Sequence, residues 1–116
     1  MSLRNLFIFL ILAASMLAVS CGMNSVTREE LEAVRPGNIV TYRYRKVDKE
    51  WFYADKITRV EDNTIYYNAS KNESTKGTDS RLKDFDTTQE LSMKKDDLVK
   101  YTTEQGEEKK KIIWIE

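Results

Sequence analysis

From Asn38 onward the chain reads with a period of two, and that change limits the folds open to it more than any other feature. In "NIVTYRYR", Asn38 to Arg45, the residues Val40, Tyr42 and Tyr44 alternate with Thr41, Arg43 and Arg45. Successive side chains of a strand point to opposite faces, so the alternation predicts a strand with one aromatic face and one polar face. "VDKE" reads as a polar turn. "WFYADKITRVE" follows, with Trp51, Tyr53 and Ile57 on one side and Phe52, Ala54 and Val60 on the other. Apolar residues on both sides, with the pattern slipping at Asp55-Lys56, predict a long bent or bulged strand that serves two faces.

The rest of the chain extends that pattern. Asp62 and Asn63 in "EDNT" suit a tight hairpin because both tolerate positive φ, and "IYYNA" returns as a third strand. Ser70 to Thr88 is polar and long for a loop in a small domain, with only Leu82 and Phe85 available to pin it. "QELSMKKDDLVKYTT" reads as a further strand or two, broken near Lys95 to Asp97; "EQGEE" turns, and "KKKIIWIE" closes as a last strand. Ahead of the strands, Thr27 with Glu30 three residues later has the form of a helix capping box, and Pro36-Gly37 stops the pattern. The expected class is mainly β: a small antiparallel barrel of five or six strands, residues 38–116, after a tether at 21–37 that holds a short helix.

The amino terminus carries a different signal. Arg4 is the only charge before Cys21, and the stretch Leu6 to Val19 is apolar except for Ser15. A charged start, an apolar run and small residues before a cut site make residues 1–20 a secretory signal, and the run falls short of the roughly 20 residues that a spanning helix needs. Ala18, Ser20 and then Cys21, the only cysteine, resemble the lipobox of bacterial lipoproteins, with Ala18 standing where leucine is usual. The resemblance implies a lipid on the Cys21 sulfur, removal of the signal, and an anchor in the cell envelope; no other cofactor is expected. Gly22 stands where an aspartate would favour inner-membrane retention, which points to the outer membrane and a periplasmic or surface-facing domain.

Composition then narrows the function. Without Arg4 the chain keeps 18 of its 19 basic residues against 19 acidic ones, so no strong field suggests a nucleic-acid partner. There is no histidine. The commonest general base and metal ligand are therefore missing, an acylated cysteine is no nucleophile, and the expectation is a protein that is not an enzyme. "SRLK" and "SMKK" match the serine–lysine motif of penicillin-recognising enzymes, but that motif arises cheaply in a lysine-rich chain too short for their fold. Asp84 and Asp86, or Asp96 and Asp97, read as solvated turn residues rather than ligands.

The stretch from Arg35 to Tyr67 resembles the first strands of SH3-like barrels of the Tudor and Agenet kind, through Gly37, Val40, Trp51, Tyr53, Ala54, Ile57 and Val60. "KKDDLVKY" resembles the turn before their last strand. The resemblance implies a fold, not a ligand. Adjacent aromatics on one strand cannot all face one core, so some of this dense set are available for binding. Tyr44, Trp51, Tyr53, Tyr67 and Trp114 are the candidate surface. The expected role is a membrane-anchored binding module for an envelope protein or for peptidoglycan; the alternative is a small immunity or inhibitor protein against a toxin or phage component.

Overall fold

A computed structural model describes residues 26–116; the stretch 1–20 expected to be a signal, and Cys21, lie outside the described residues. Helix α1, Arg28–Glu32, comes first. Thr27 caps it, accepting from the Glu30 amide at 3.2 Å. The Thr27 hydroxyl also donates to the Glu30 carboxylate, so the reciprocal contact runs to the side chain rather than to the Thr27 amide. Gly37 takes φ +94°, a left-handed turn that a Cβ would strain, and redirects the chain into the sheet.

Five strands follow: β1 Ile39–Lys46, β2 Lys49–Glu61, β3 Thr64–Ala69, β4 Leu91–Lys94 and β5 Lys111–Ile115. They form one antiparallel sheet in the order β4-β3-β2-β1-β5. The mainly β class with a short leading helix is what the sequence predicts. Strand β2 is the long shared element. Its first part, from Lys49 to Lys56, pairs with β1, and its second, from Asp55 to Glu61, pairs with β3. Only Asp55 and Lys56 stand in both ladders.

The bulge in β2 falls between Ile57 and Arg59, two residues beyond the slip read from the sequence. One extra residue reverses the phase of all that follows. Val60 therefore packs with the Ile57 cluster instead of with Phe52 and Ala54, correcting the face predicted for it. The hairpin turn to β3 does use a positive φ, at Asp62.

The segment after β4 departs from expectation. Lys95–Val99 is a helix, α2, and Lys100–Thr102 continues it as a 3₁₀ turn. Asp96 and Asp97 sit in its first turn, where the exposed amides and the helix dipole favour acidic side chains. Leu98 and Val99 are both buried, a consecutive pair that a half-buried strand would have split between its faces. This segment packs against both edges of the sheet, α2 on β4 and the 3₁₀ turn on β5.

Two clusters divide the interior. The larger joins Leu31, Val34 and Val26 from the helical end to Val40, Tyr42, Ile57, Ile65, Leu98, Val99 and Ile112. The smaller, on the opposite sheet face, is Phe52, Ala54 and Leu82 with Ile39, Phe85 and Ile113 against them. Leu82 and Phe85 pin the long loop, as their isolation in the sequence predicts. A 3₁₀ turn at Ser80–Lys83 and bridges from Phe52 to Ser74 and from Ser70 to Phe85 complete its attachment.

Candidate functional site

The site is built on the first two strands. Their register sets Tyr42 opposite Tyr53, Tyr44 opposite Trp51 and Val40 opposite Asp55, all on one face. Cross-strand neighbours at such spacing bring their rings together. Tyr42 and Tyr53 stack at 5.0 Å, Tyr44 and Tyr53 at 5.0 Å, and Tyr44 and Trp51 at 5.3 Å between centroids. Tyr101, from the 3₁₀ turn, meets Tyr42 edge-on at 5.8 Å. The Tyr44 and Tyr53 hydroxyls share a hydrogen bond of 2.5 Å. Burial pushes the Tyr44 phenol up to about 12 and Tyr53 well beyond, so both hydroxyls are neutral donors at any physiological pH.

A cation sits among these rings. Lys110 opens the final strand segment, and its Nζ lies 4.4 Å from the Tyr42 centroid, 4.5 Å from Tyr101, 5.4 Å from Tyr53 and 5.7 Å from Tyr44. The negative ring faces attract an ammonium, and partial desolvation strengthens the attraction. Burial also lowers the Lys110 pKa, opposed by the negative charges of Asp55 and Glu108.

Beneath the rings lies Asp55, with 2 % of its surface exposed. Burial raises its carboxyl to about 7, the Lys110 ammonium and the Tyr42 hydroxyl holding it below where burial alone would take it. The Tyr42 hydroxyl faces the Asp55 carboxyl, but among the described residues neither Asp55 Oδ1 nor Tyr42 Oη reaches full hydrogen-bond geometry. A buried polar atom left in that condition costs about 1–3 kcal/mol, more when charged. Beside the cluster a cleft of about 370 Å³ opens between Tyr67, Met93, Asp97, Lys100, Tyr101, Gln105 and Lys110.

Four of the five aromatics singled out from the sequence thus border one region: Tyr44, Trp51 and Tyr53 in the stack, and Tyr67 in the cleft. Trp114 does not join them. A register shift in the pairing of β1 with β5 sets Trp114 opposite Thr41 and Ile112 opposite Tyr42. Trp114 therefore borders a separate pocket of about 100 Å³ with Ile39, Thr41, Ala54, Gly77 and Leu82 on the other face.

Sequence reasoning missed Asp55, Lys110 and Tyr101. For Asp55 a signal existed, because it keeps the phase of Trp51, Tyr53 and Ile57 and so stands on their face. Its polarity read as a slip in the pattern instead. Lys110 carried none, being one of three consecutive lysines. The acidic pairs read as turn residues are tied locally: Asp86 accepts from Thr88, Asp84 pairs with Lys71, Asp96 accepts from Asn63 and Asp97 pairs with Lys100. Among the described residues no helix is long and apolar enough to cross a membrane.

Comparison with known proteins finds no matching family model, no matching curated protein and no matching solved structure. What the fold and site define is a class: a small, mainly β domain that gathers aromatic side chains and Lys110 on the sheet face that also buries the Asp55 carboxylate.

Proposed function

We propose that this chain is an envelope lipoprotein, anchored through Cys21, whose β domain is a non-enzymatic binding module for a cell-wall or envelope-protein partner. The observation that carries the binding part is the aromatic face. Tyr44, Trp51, Tyr53 and Tyr67 all retain partial exposure at the edge of the core, and Tyr67 with Tyr101 lines an open cleft beside them, which leaves ring edges accessible to a ligand. The SH3-like reading is supported by the strand order, by a long second strand shared between two partners, and by the helical turn that precedes β5. The lipobox rests on the sequence around Cys21.

Two measurements test this reading. Mass spectrometry of the membrane fraction is expected to find diacylglycerol on Cys21; a free thiol in an otherwise mature chain would remove the anchor. Purified sacculi are expected to sediment the domain, and Trp51→Ala to abolish sedimentation without altering the fold. No enrichment over a denatured control sinks the wall-binding form and leaves a protein partner as the target.

A further inference from the structure

We infer that the cleft beside the aromatic stack takes the terminal carboxylate of a peptide, with Lys110 as its counter-charge and the hydroxyls of Tyr67 and Tyr101 as further donors. The inference rests on the binding-module reading and gives that module its ligand chemistry. Three observations carry it.

First, the cleft offers donors that the domain does not use. Tyr67, Tyr101 and Lys110 all border it. Among the described residues none of these three side chains enters a hydrogen bond. Lys110 also forms no ion pair with a carboxylate there. Of the two acids whose charge it feels, Glu108 lies 3.8 Å from Lys46, and burial keeps Asp55 partly protonated near neutral pH. A carboxylate has two accepting oxygens and no proton to give, so an ammonium and two phenols match it.

Second, the charge suits a monoanion. Lys100 borders the same cleft but pairs with Asp97, also on its wall, at 3.2 Å. The charge left over is the single positive one of Lys110, which balances a carboxylate and falls short of a phosphate dianion. Third, Gln105 is set for the group next to that carboxylate. Its Nε2 donates to the Lys100 carbonyl at 3.1 Å and to the Thr103 hydroxyl at 2.9 Å. A carbonyl can only accept, so the amide is fixed with Oε1 as its unengaged acceptor. The last residue of a peptide carries an N–H one carbon away from its carboxylate, which answers that acceptor. Met93 and the Tyr67 ring, both packed against the core, supply an apolar wall for its side chain.

The experiment titrates the full chain in nonionic detergent with N-acetyl-alanyl-alanine, as the L,L and D,D enantiomers and as the C-terminal amide of each. The ring signals of Tyr67 and Tyr101 are followed by NMR. At least one acid is expected to bind about tenfold tighter than its own amide. Lys110→Gln is expected to erase that difference; if that variant does not fold, Tyr67→Phe serves and should reduce it about threefold. Asp97→Asn removes the one acid on the cleft wall and should tighten the acid about threefold, a gain that damage to the fold does not produce. Preference for the L,L acid assigns the site to protein chain ends, and preference for the D,D acid to wall peptides. Equal affinity for acid and amide, or rings that respond to neither, overturns the inference. A chain that fails this titration yet sediments with sacculi through Trp51 keeps the binding-module reading and loses only the carboxylate site. One that takes the acid but neither sacculi nor an envelope protein keeps the site and loses its proposed partner.

Discussion

The two faces of the sheet are made by alternate residues of the same strands, yet they solve different problems. Phe52, Ala54, Ile39 and Ile113 look one way, and the loop after β3 lowers Leu82 and Phe85 onto them. Tyr42, Tyr44, Trp51, Tyr53 and Asp55 look the other way; Leu31, Leu98 and Val99 cover the inner part of that face around Tyr42, while Tyr44 and Trp51 at the outer end of the row stay partly exposed. The first face is closed by hydrophobic contact, with Leu82 2 % exposed and no charge in the cluster. The second holds a carboxylate and an ammonium within an aromatic setting, an arrangement that costs stability unless it is paired. One strand can therefore supply a stabilising face and a chemically poised one, because the pleat separates neighbours in sequence by the thickness of the sheet.

The largest expected effect breaks the closed face. Leu82→Ala should cost about 2–5 kcal/mol by lost burial and the cavity left behind. Urea unfolding measures it, and protease should then cut between residues 70 and 88. An unchanged midpoint would mean that the loop adds nothing to the closed face.

The next effect belongs to Asp55 and has a definite sign. Its folded pKa lies near 7 against an ordinary value of 3.8, so the folded chain holds the extra proton between those limits. Stability from this group is complete below pH 4 and is lost as pH rises through 7, at up to about 1.4 kcal/mol per pH unit within that window. Asp79 works in the opposite direction: hydrogen bonds from Arg81 and Ser74 hold its carboxyl well below the usual carboxylate range, so its contribution is lost only as pH falls below 4. Asp55→Asn should flatten the curve between pH 4 and 7 and leave the acid limb intact. A curve with the wild-type slope would show that Asp55 is not the titrating group.

A smaller effect separates ring from hydroxyl. Tyr53→Phe keeps the stack with Tyr42 and Tyr44 but removes the hydroxyl pair, and should cost about 1 kcal/mol. A loss of several kcal/mol would mean that the pair organises the whole cluster. The smallest effect is expected at Trp114, which is 41 % exposed. Trp114→Ala should change stability by about 1 kcal/mol or less and leave sacculus binding untouched, in contrast to Trp51→Ala. If it abolished binding instead, the functional face would be the one bordered by Ile39 and Leu82.

Much of this architecture was legible from local pattern. The alternation of Val40, Tyr42 and Tyr44 defined β1, and the doubled apolar sides of the Trp51 segment marked a strand shared between two environments. Thr27 and Glu30 marked the start of α1. The helix at Lys95–Val99 was misread because its five residues are too few to display a helical period, although its two leading aspartates and consecutive Leu98-Val99 were consistent with one. Trp114 was grouped with the other aromatics because a register shift between β1 and β5 cannot be seen from either strand alone.

The sequence by itself determined the strand content, the side chains that share a face within each strand, and the presence of more aromatics than one small core requires. These follow from the two-residue repeat of a strand, which is a property of the backbone. Only the tertiary structure decided that Tyr101 and Lys110, more than forty positions beyond Tyr53, would close over the same rings, and that Asp55 would lie buried beside Tyr42. Both results depend on where β2 bulges and on how the last hairpin returns to β1. Those are choices of long-range packing, and no local period records them.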